Sequence, residues 1–186
     1  MFDRKRASLR GAVAALFVAT MAVLLIPGSG LTQNAPPRPC EGGGDYDAFD
    51  FWVGEWDVFT LDGKKAGTNR IEETEGGCIL LESWTGAGGG TGTSINYFDP
   101  AANEWNQLWV SPNGVVIRIG GGLREGSMVL EGELIGPKGK SQPFRGTWTP
   151  NPDGSVRQFF EISADDGATW TAWFDGKYVR AGQGSD

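Results

Sequence analysis

The chain contains no histidine in 186 residues. Histidine is the usual general base near neutral pH, the commonest zinc ligand and the usual proximal ligand of haem, so its absence removes those roles together. Ser-His-Asp and Cys-His catalysis cannot operate. Cysteine is nearly as scarce, with only Cys40 and Cys78. The longest apolar run, Gly11 to Ile26, is about 16 residues, short of the roughly 20 that a helix needs to cross hydrocarbon. What is present in quantity is glycine and aromatic side chains. Thirty glycines, eight tryptophans and ten phenylalanines bring far more apolar area than a disordered chain carries, and the length fits one modest globular domain.

Arg4, Lys5, Arg6 and Arg10 precede the apolar run, and Pro27, Gly28, Ser29 and Gly30 follow it. That order of basic, apolar and small residues reads as a secretory signal over residues 1–30, with an uncleaved anchor as the alternative. The expected localisation is exported, periplasmic or secreted, and the expected mature start lies between Leu31 and Pro36. Removing residues 1–30 takes away four basic groups and Asp3, and the net charge moves from −7 to about −10. Nucleic acid is therefore an improbable partner, because phosphate backbones are bound by lysine and arginine that displace counterions. Stable membrane association after signal removal is disfavoured for the same reason, and a monomer or weak dimer is expected.

Residues 31–45 carry Pro36, Pro37, Pro39 and Gly42 to Gly44 and read as a flexible arm. In an oxidising compartment the even cysteine count makes a Cys40–Cys78 disulfide the default. The alternative is a free buried Cys78 with Cys40 loose in the arm.

From Tyr46 to about residue 182, runs of β-branched and aromatic residues alternate with turn signals such as Asp62-Gly63, Asn113-Gly114, Asp153-Gly154 and Asp175-Gly176. This spacing predicts ten strands near 55–61, 67–74, 78–84, 92–98, 104–110, 115–120, 127–135, 141–149, 155–162 and 169–179, preceded by one helical turn around Tyr46 to Phe51. Short hairpins without crossover helices leave a sandwich or an up-and-down barrel, and the meander order favours an all-β antiparallel barrel that pairs its last strand with its first. Alternation sets Trp105, Gln107 and Trp109 against Asn106, Leu108 and Val110. A barrel of this size holds a side-chain core or one small-ligand cavity.

Candidate site residues come from the same alternation. Trp84, Tyr97, Trp105 and Trp109 lie in neighbouring strands and are candidates for lining one cavity. Among the strand carboxylates Glu55, Asp57, Glu82 and Glu161, Glu82 stands out because it alternates with Leu80 and Trp84, and an apolar face would raise its pKa. Arg118, between Ile117 and Ile119, is the candidate cation to match it; two surface charges on separate strands are the alternative. Ser163-x-Asp165-x-Gly167-x-Thr169-Trp170 fits an Asp-box hairpin, in which Asp165 accepts turn N–H groups, Gly167 takes a positive φ and Trp170 packs behind. On one hairpin this pattern means turn stabilisation.

Gly54-x-Trp56, with Phe49-Asp50-Phe51-Trp52 before it, Gly76-Gly77-Cys78-x-Leu80-x-Glu82-x-Trp84 after it and Trp148 with Asp153-Gly154-Ser155-Val156 near the end, resembles the DUF1579-type family of lipocalin-like proteins in the calycin superfamily. The likeness runs from about residue 47 to 180. It implies that Trp56 sits at the closed end of the barrel under an arginine from the last strand, for which Arg180 is the candidate, both serving a structural role with Gly54. Nitrobindin, a ten-stranded haem barrel, is a neighbour by strand count, but its haem is held by histidine; Tyr97, Tyr178, a methionine or a free Cys78 would ligate iron only as an exception. The expected protein therefore has no cofactor and no metal, and binds a small, mostly apolar molecule. For a ligand of about 20 heavy atoms at about 0.3 kcal/mol each, the affinity would reach roughly −6 kcal/mol. The rival readings are an enzyme that uses a buried carboxylate on a hydrophobic substrate, and a structural or carbohydrate-contacting domain.

Overall fold

The structure, a computed structural model, describes residues 39–182; the segment expected to be a secretory signal and the first part of the expected arm lie outside the described residues. Three short 3-10 turns, Pro39–Glu41, Gly44–Asp47 and Asp50–Trp52, lead into β1 (Gly54–Thr60), β2 (Lys65–Thr74), β3 (Ile79–Gly86), β4 (Thr91–Asp99) and β5 (Glu104–Val110). Then follow β6 (Val116–Arg124), β7 (Ser127–Ile135), β8 (Ser141–Pro150), β9 (Val156–Ile162) and β10 (Thr171–Arg180). Each strand pairs antiparallel with its neighbours in sequence, and β1 pairs with β10 to close a ten-stranded up-and-down barrel. Closure pairs β1 with β10, so the barrel presents no row of unpaired edge N–H and C=O groups such as an open ten-stranded sheet would have.

Tight hairpins enforce this order. At the first of them Gly63 adopts φ 80° and returns its N–H to Thr60 O at 2.9 Å, so the Asp62-Gly63 dipeptide supplies the left-handed residue that such a turn requires. Two departures from the expected elements have simple causes. β6 continues through Gly120, Gly121 and Gly122 to Arg124, pairing Gly121 with Leu130. A glycine run reads as a strand end, yet here the backbones approach so closely that a Cβ on Gly121 would collide with Val129 O; the strand needs glycine there. The expected helical turn near Tyr46 to Phe51 is two 3-10 turns separated by Ala48 and Phe49.

Alternation sorts the inner face. Trp105, Gln107 and Trp109 point inward, as do Met128, Leu130 and Leu134, while Leu108 and Val110 face solvent. The core has a closed end and an upper chamber. At the closed end Phe49 stacks on Trp52 at 5.0 Å and meets Trp105 and Trp148 edge-on at 5.6 and 5.2 Å. All four rings are buried. The 3-10 segment thus plugs the barrel with aromatic side chains, and Trp105 Nε1 donates to Asp45 O at 2.9 Å to hold it down.

Arg180 lies over the Trp56 ring with its guanidinium carbon 3.9 Å from the centroid. It donates from Nη1 to Val53 O at 2.6 Å, while Trp56 Nε1 donates to Trp52 O at 2.8 Å. Gly54, at φ 136°, makes room: a Cβ there would collide with Arg180 Nη1. The geometry expected of Gly54, Trp56 and Arg180 is therefore present. Cys40 and Cys78 form a disulfide with Cα atoms 5.0 Å apart, tying the arm to the start of β3. Such a disulfide points to an oxidising environment. The Asp-box hairpin forms as the sequence implies. Asp165 accepts from Thr169 N and Thr169 Oγ1, both at 2.7 Å, Gly167 has φ 90°, and Trp170 packs under the Arg145 guanidinium at 4.4 Å. Among the described residues, no helix is long and apolar enough to cross a membrane.

Candidate functional site

Strand direction brings the ends of β3, β5 and β9 and the beginnings of β6 and β10 to the barrel end opposite the plug. The side chains aimed inward there are Trp84, Trp109, Ile117, Phe160 and Phe174, joined by Trp173 at the rim, and they enclose a partly open cavity of about 140 Å³. The rings are fitted to the wall by missing side chains beneath them. Trp109 lies across Gly92 and Trp84 across Gly67, where an added Cβ would strike the indole. Those two glycines, weak strand formers by themselves, act as seats for the rings.

The cavity has a polar floor made by Glu82, Gln107, Gln158 and Tyr178. These belong to a belt of side chains running round the inside of the barrel. Gln107 Nε2 donates to Asn96 Oδ1 at 2.7 Å, Asn96 Nδ2 donates to Ser94 Oγ at 2.9 Å, and Ser94 Oγ donates to Glu82 Oε2 at 2.6 Å. On the other side Asn69 Nδ2 donates to Glu82 Oε1 at 2.7 Å and to Tyr178 OH at 3.1 Å, and Tyr178 OH donates to Gln158 Oε1. Every member of the belt is buried. Asn69 Oδ1 is itself buried without a hydrogen-bond partner.

Glu82 is the charge-bearing member, at 3% exposure. The remaining strand carboxylates singled out by sequence each meet a cation: Glu55 lies 3.6 Å from Arg70, Asp57 2.6 Å from Lys65 and Glu161 2.8 Å from Arg145. Among the described residues, Glu82 has no such partner, and its two donors, Asn69 and Ser94, are neutral. Burial therefore dominates and pushes its pKa from 4.5 to about 7, the two hydrogen bonds opposing that rise. Tyr178 is raised in turn by burial and by the Glu82 charge, with the Asn69 bond opposing. It stays protonated and keeps its donor role.

Of the six residues expected in one pocket, Glu82, Trp84 and Trp109 line the cavity. Trp105 shares the inward face of β5 with Trp109 but sits one strand end away, packed into the plug against Phe49. Tyr97 is on the outer face of β4 and 41% exposed, because Ser94, Asn96 and Phe98 take the inward positions. Arg118 also faces outward and pairs with Glu133 at 2.7 Å rather than with Glu82. The two isoleucines flanking it, Ile117 and Ile119, are buried, and a strand cannot send three successive side chains inward.

Sequence reasoning missed Gln107, Gln158 and Tyr178 as floor residues, and Phe160, Trp173 and Phe174 as wall. Gln107 and Gln158 carried a usable signal, since each is the polar residue at an inward position between apolar ones: Trp105 and Trp109 for the first, Val156 and Phe160 for the second. The cavity is also smaller than a ligand of drug-like size requires. A dry protein cavity of about 150 Å³ accommodates benzene, so one ring with a short substituent is the limit for complete enclosure.

What fold and site define together is a closed antiparallel barrel with a plugged end and a small aromatic chamber over a buried polar belt. No protein-family model matches the chain, and no curated protein matches its sequence significantly.

Proposed function

We propose that this protein is an exported, lipocalin-like barrel that binds a small, mostly apolar molecule in the chamber bounded by Trp84, Trp109, Phe160 and Phe174. One observation carries the reading: the inner face at this end is left open as a cavity of about 140 Å³, although the plug end of the same barrel is packed solid with aromatic rings. The DUF1579-type resemblance and the N-terminal secretory pattern support the family and export parts of the proposal, and the disulfide supports an oxidising destination. A ligand of about eight heavy atoms at roughly 0.6 kcal/mol per atom, between the values of very small and drug-sized ligands, would bind with about −5 kcal/mol, a Kd of a few tenths of a millimolar.

Titration with benzyl alcohol, followed by tryptophan emission and by calorimetry, tests it. Saturable binding is the expected result, because Trp84 and Trp109 form the wall. The absence of any saturable signal up to about 10 mM, where even −3 kcal/mol registers, would remove the binding reading.

An acid–base enzyme is a second reading, and the raised pKa of Glu82 favours it, since a carboxyl titrating near neutral pH inside a cavity suits proton transfer. It requires chemical change in a bound compound that Glu82→Gln abolishes.

A further inference from the structure

The polar floor of the chamber has an unusual composition. Glu82 is an acid without a paired base, and the side chains that surround it from β2, β4, β5, β9 and β10 are Asn69, Ser94, Gln107, Gln158 and Tyr178. Among these Tyr178 is the titratable one, and it remains protonated. A carboxylate offers about four acceptor positions on its two oxygens. Asn69 and Ser94 use one each, which leaves acceptor capacity on an atom pair that lines the cavity. Gln107 commits its amide nitrogen to Asn96, so its Oε1 remains as a second acceptor. Arginine and lysine do not line the chamber. Above this floor stand three tryptophans and two phenylalanines, whose ring faces carry the negative part of the aromatic quadrupole.

Every one of these features favours positive charge. The structure assigns the chamber to a small organic cation: we infer that its ligand is a primary amine on a compact apolar body, the ammonium donating to Glu82 and the body held between Trp84, Trp109 and Phe174. This rests on the binding reading above and narrows it. An ammonium brings three donors and the charge that the protein itself omits beside Glu82. A neutral alcohol of the same shape brings one donor and no charge, and a carboxylate ligand would meet Glu82 as a like charge. The volume limits the body to one ring or its aliphatic equivalent.

Benzylamine, benzyl alcohol and benzoate make a matched set of nearly equal size, and calorimetry of the purified protein with each separates the possibilities. At pH 8 the amine is expected to bind at least tenfold tighter than the alcohol, and benzoate weakest. Lowering the pH below about 7 protonates Glu82, which must then release its proton to accept the ammonium. The affinity for the amine therefore falls towards tenfold per pH unit, while that for the alcohol stays level. Glu82→Gln removes the amine's advantage over the alcohol and abolishes the pH dependence of amine binding. Should that variant fail to fold, the pH series on the wild-type protein still decides the matter. Equal binding of amine and alcohol with no pH dependence overturns the amine assignment and leaves the binding reading standing, as does a preference for benzoate. Failure of all three ligands to bind overturns both.

Discussion

Burial of Glu82 makes stability depend on pH in a particular direction. In the unfolded chain its carboxyl ionises near 4.5, and in the folded barrel near 7. A folded-state pKa above the unfolded one means that the favourable contribution is complete below pH 4.5 and is lost as pH rises through 7. In that window the native state holds a proton that the unfolded state has released, so stability falls by up to about 1.4 kcal/mol per pH unit and then levels off. The whole change amounts to about 3 kcal/mol, a large part of the 5 to 15 kcal/mol typical of a domain. Other groups titrate over the same range, including Asp50, which burial and the nearby Glu73 and Asp47 charges push up to about 6. A comparison with Glu82→Gln cancels them. Glutamine keeps the acceptor for Asn69 Nδ2 and removes the charge; the changed contact to Ser94 Oγ adds an offset that does not vary with pH. Urea unfolding of both proteins from pH 4 to pH 9 should show curves that converge or cross, the wild type losing about 3 kcal/mol relative to the variant between pH 4.5 and 7. Parallel curves would mean that Glu82 ionises at no cost, and the belt described here would then have to be open to water.

Further expectations follow from the plug, the disulfide and the chamber. Trp56→Ala should cost about 3 to 5 kcal/mol in unfolding titrations through the cavity it leaves under Arg180; an unchanged midpoint would refute the closed-end packing. Gly54→Ala should also destabilise, since the new methyl meets the Arg180 guanidinium at a backbone angle that side chains rarely adopt, and wild-type stability would contradict that close approach. Reducing the Cys40–Cys78 bond opens a loop of about 39 residues and should lower stability by about 4 kcal/mol on the chain-entropy account; thermal melts with and without reductant measure it. Gly92→Ala should drive the Trp109 indole into the chamber and weaken benzyl alcohol binding severalfold, with unchanged affinity counting against the placement of that ring.

Local patterns settle much of this molecule. The hairpin signals at Asp62-Gly63, Asn113-Gly114 and Asp153-Gly154 act within four residues, so ten strands and a meander order could be read before any contact was known. Period-two alternation told which of Trp105, Leu108 and Trp109 turn inward, because that depends only on the pleat. Depth along the barrel is a different matter. Trp105 and Trp109 share a face, but the stagger of ten closed strands and the insertion of Phe49 and Trp52 decide that the first belongs to the plug and the second to the chamber. For Arg118, alternation by itself left an inward position facing Glu82 and a surface position both open, and the β6–β7 register, which sets it opposite Glu133, decides for the surface. The belt joining Gln107, Asn96, Ser94, Glu82, Asn69, Tyr178 and Gln158 draws on six strands. Glu82, Gln107 and Gln158 are marked locally as polar residues between apolar ones on the same face, but only ring closure brings the seven side chains within hydrogen-bonding distance and, among the described residues, leaves Glu82 without a cation.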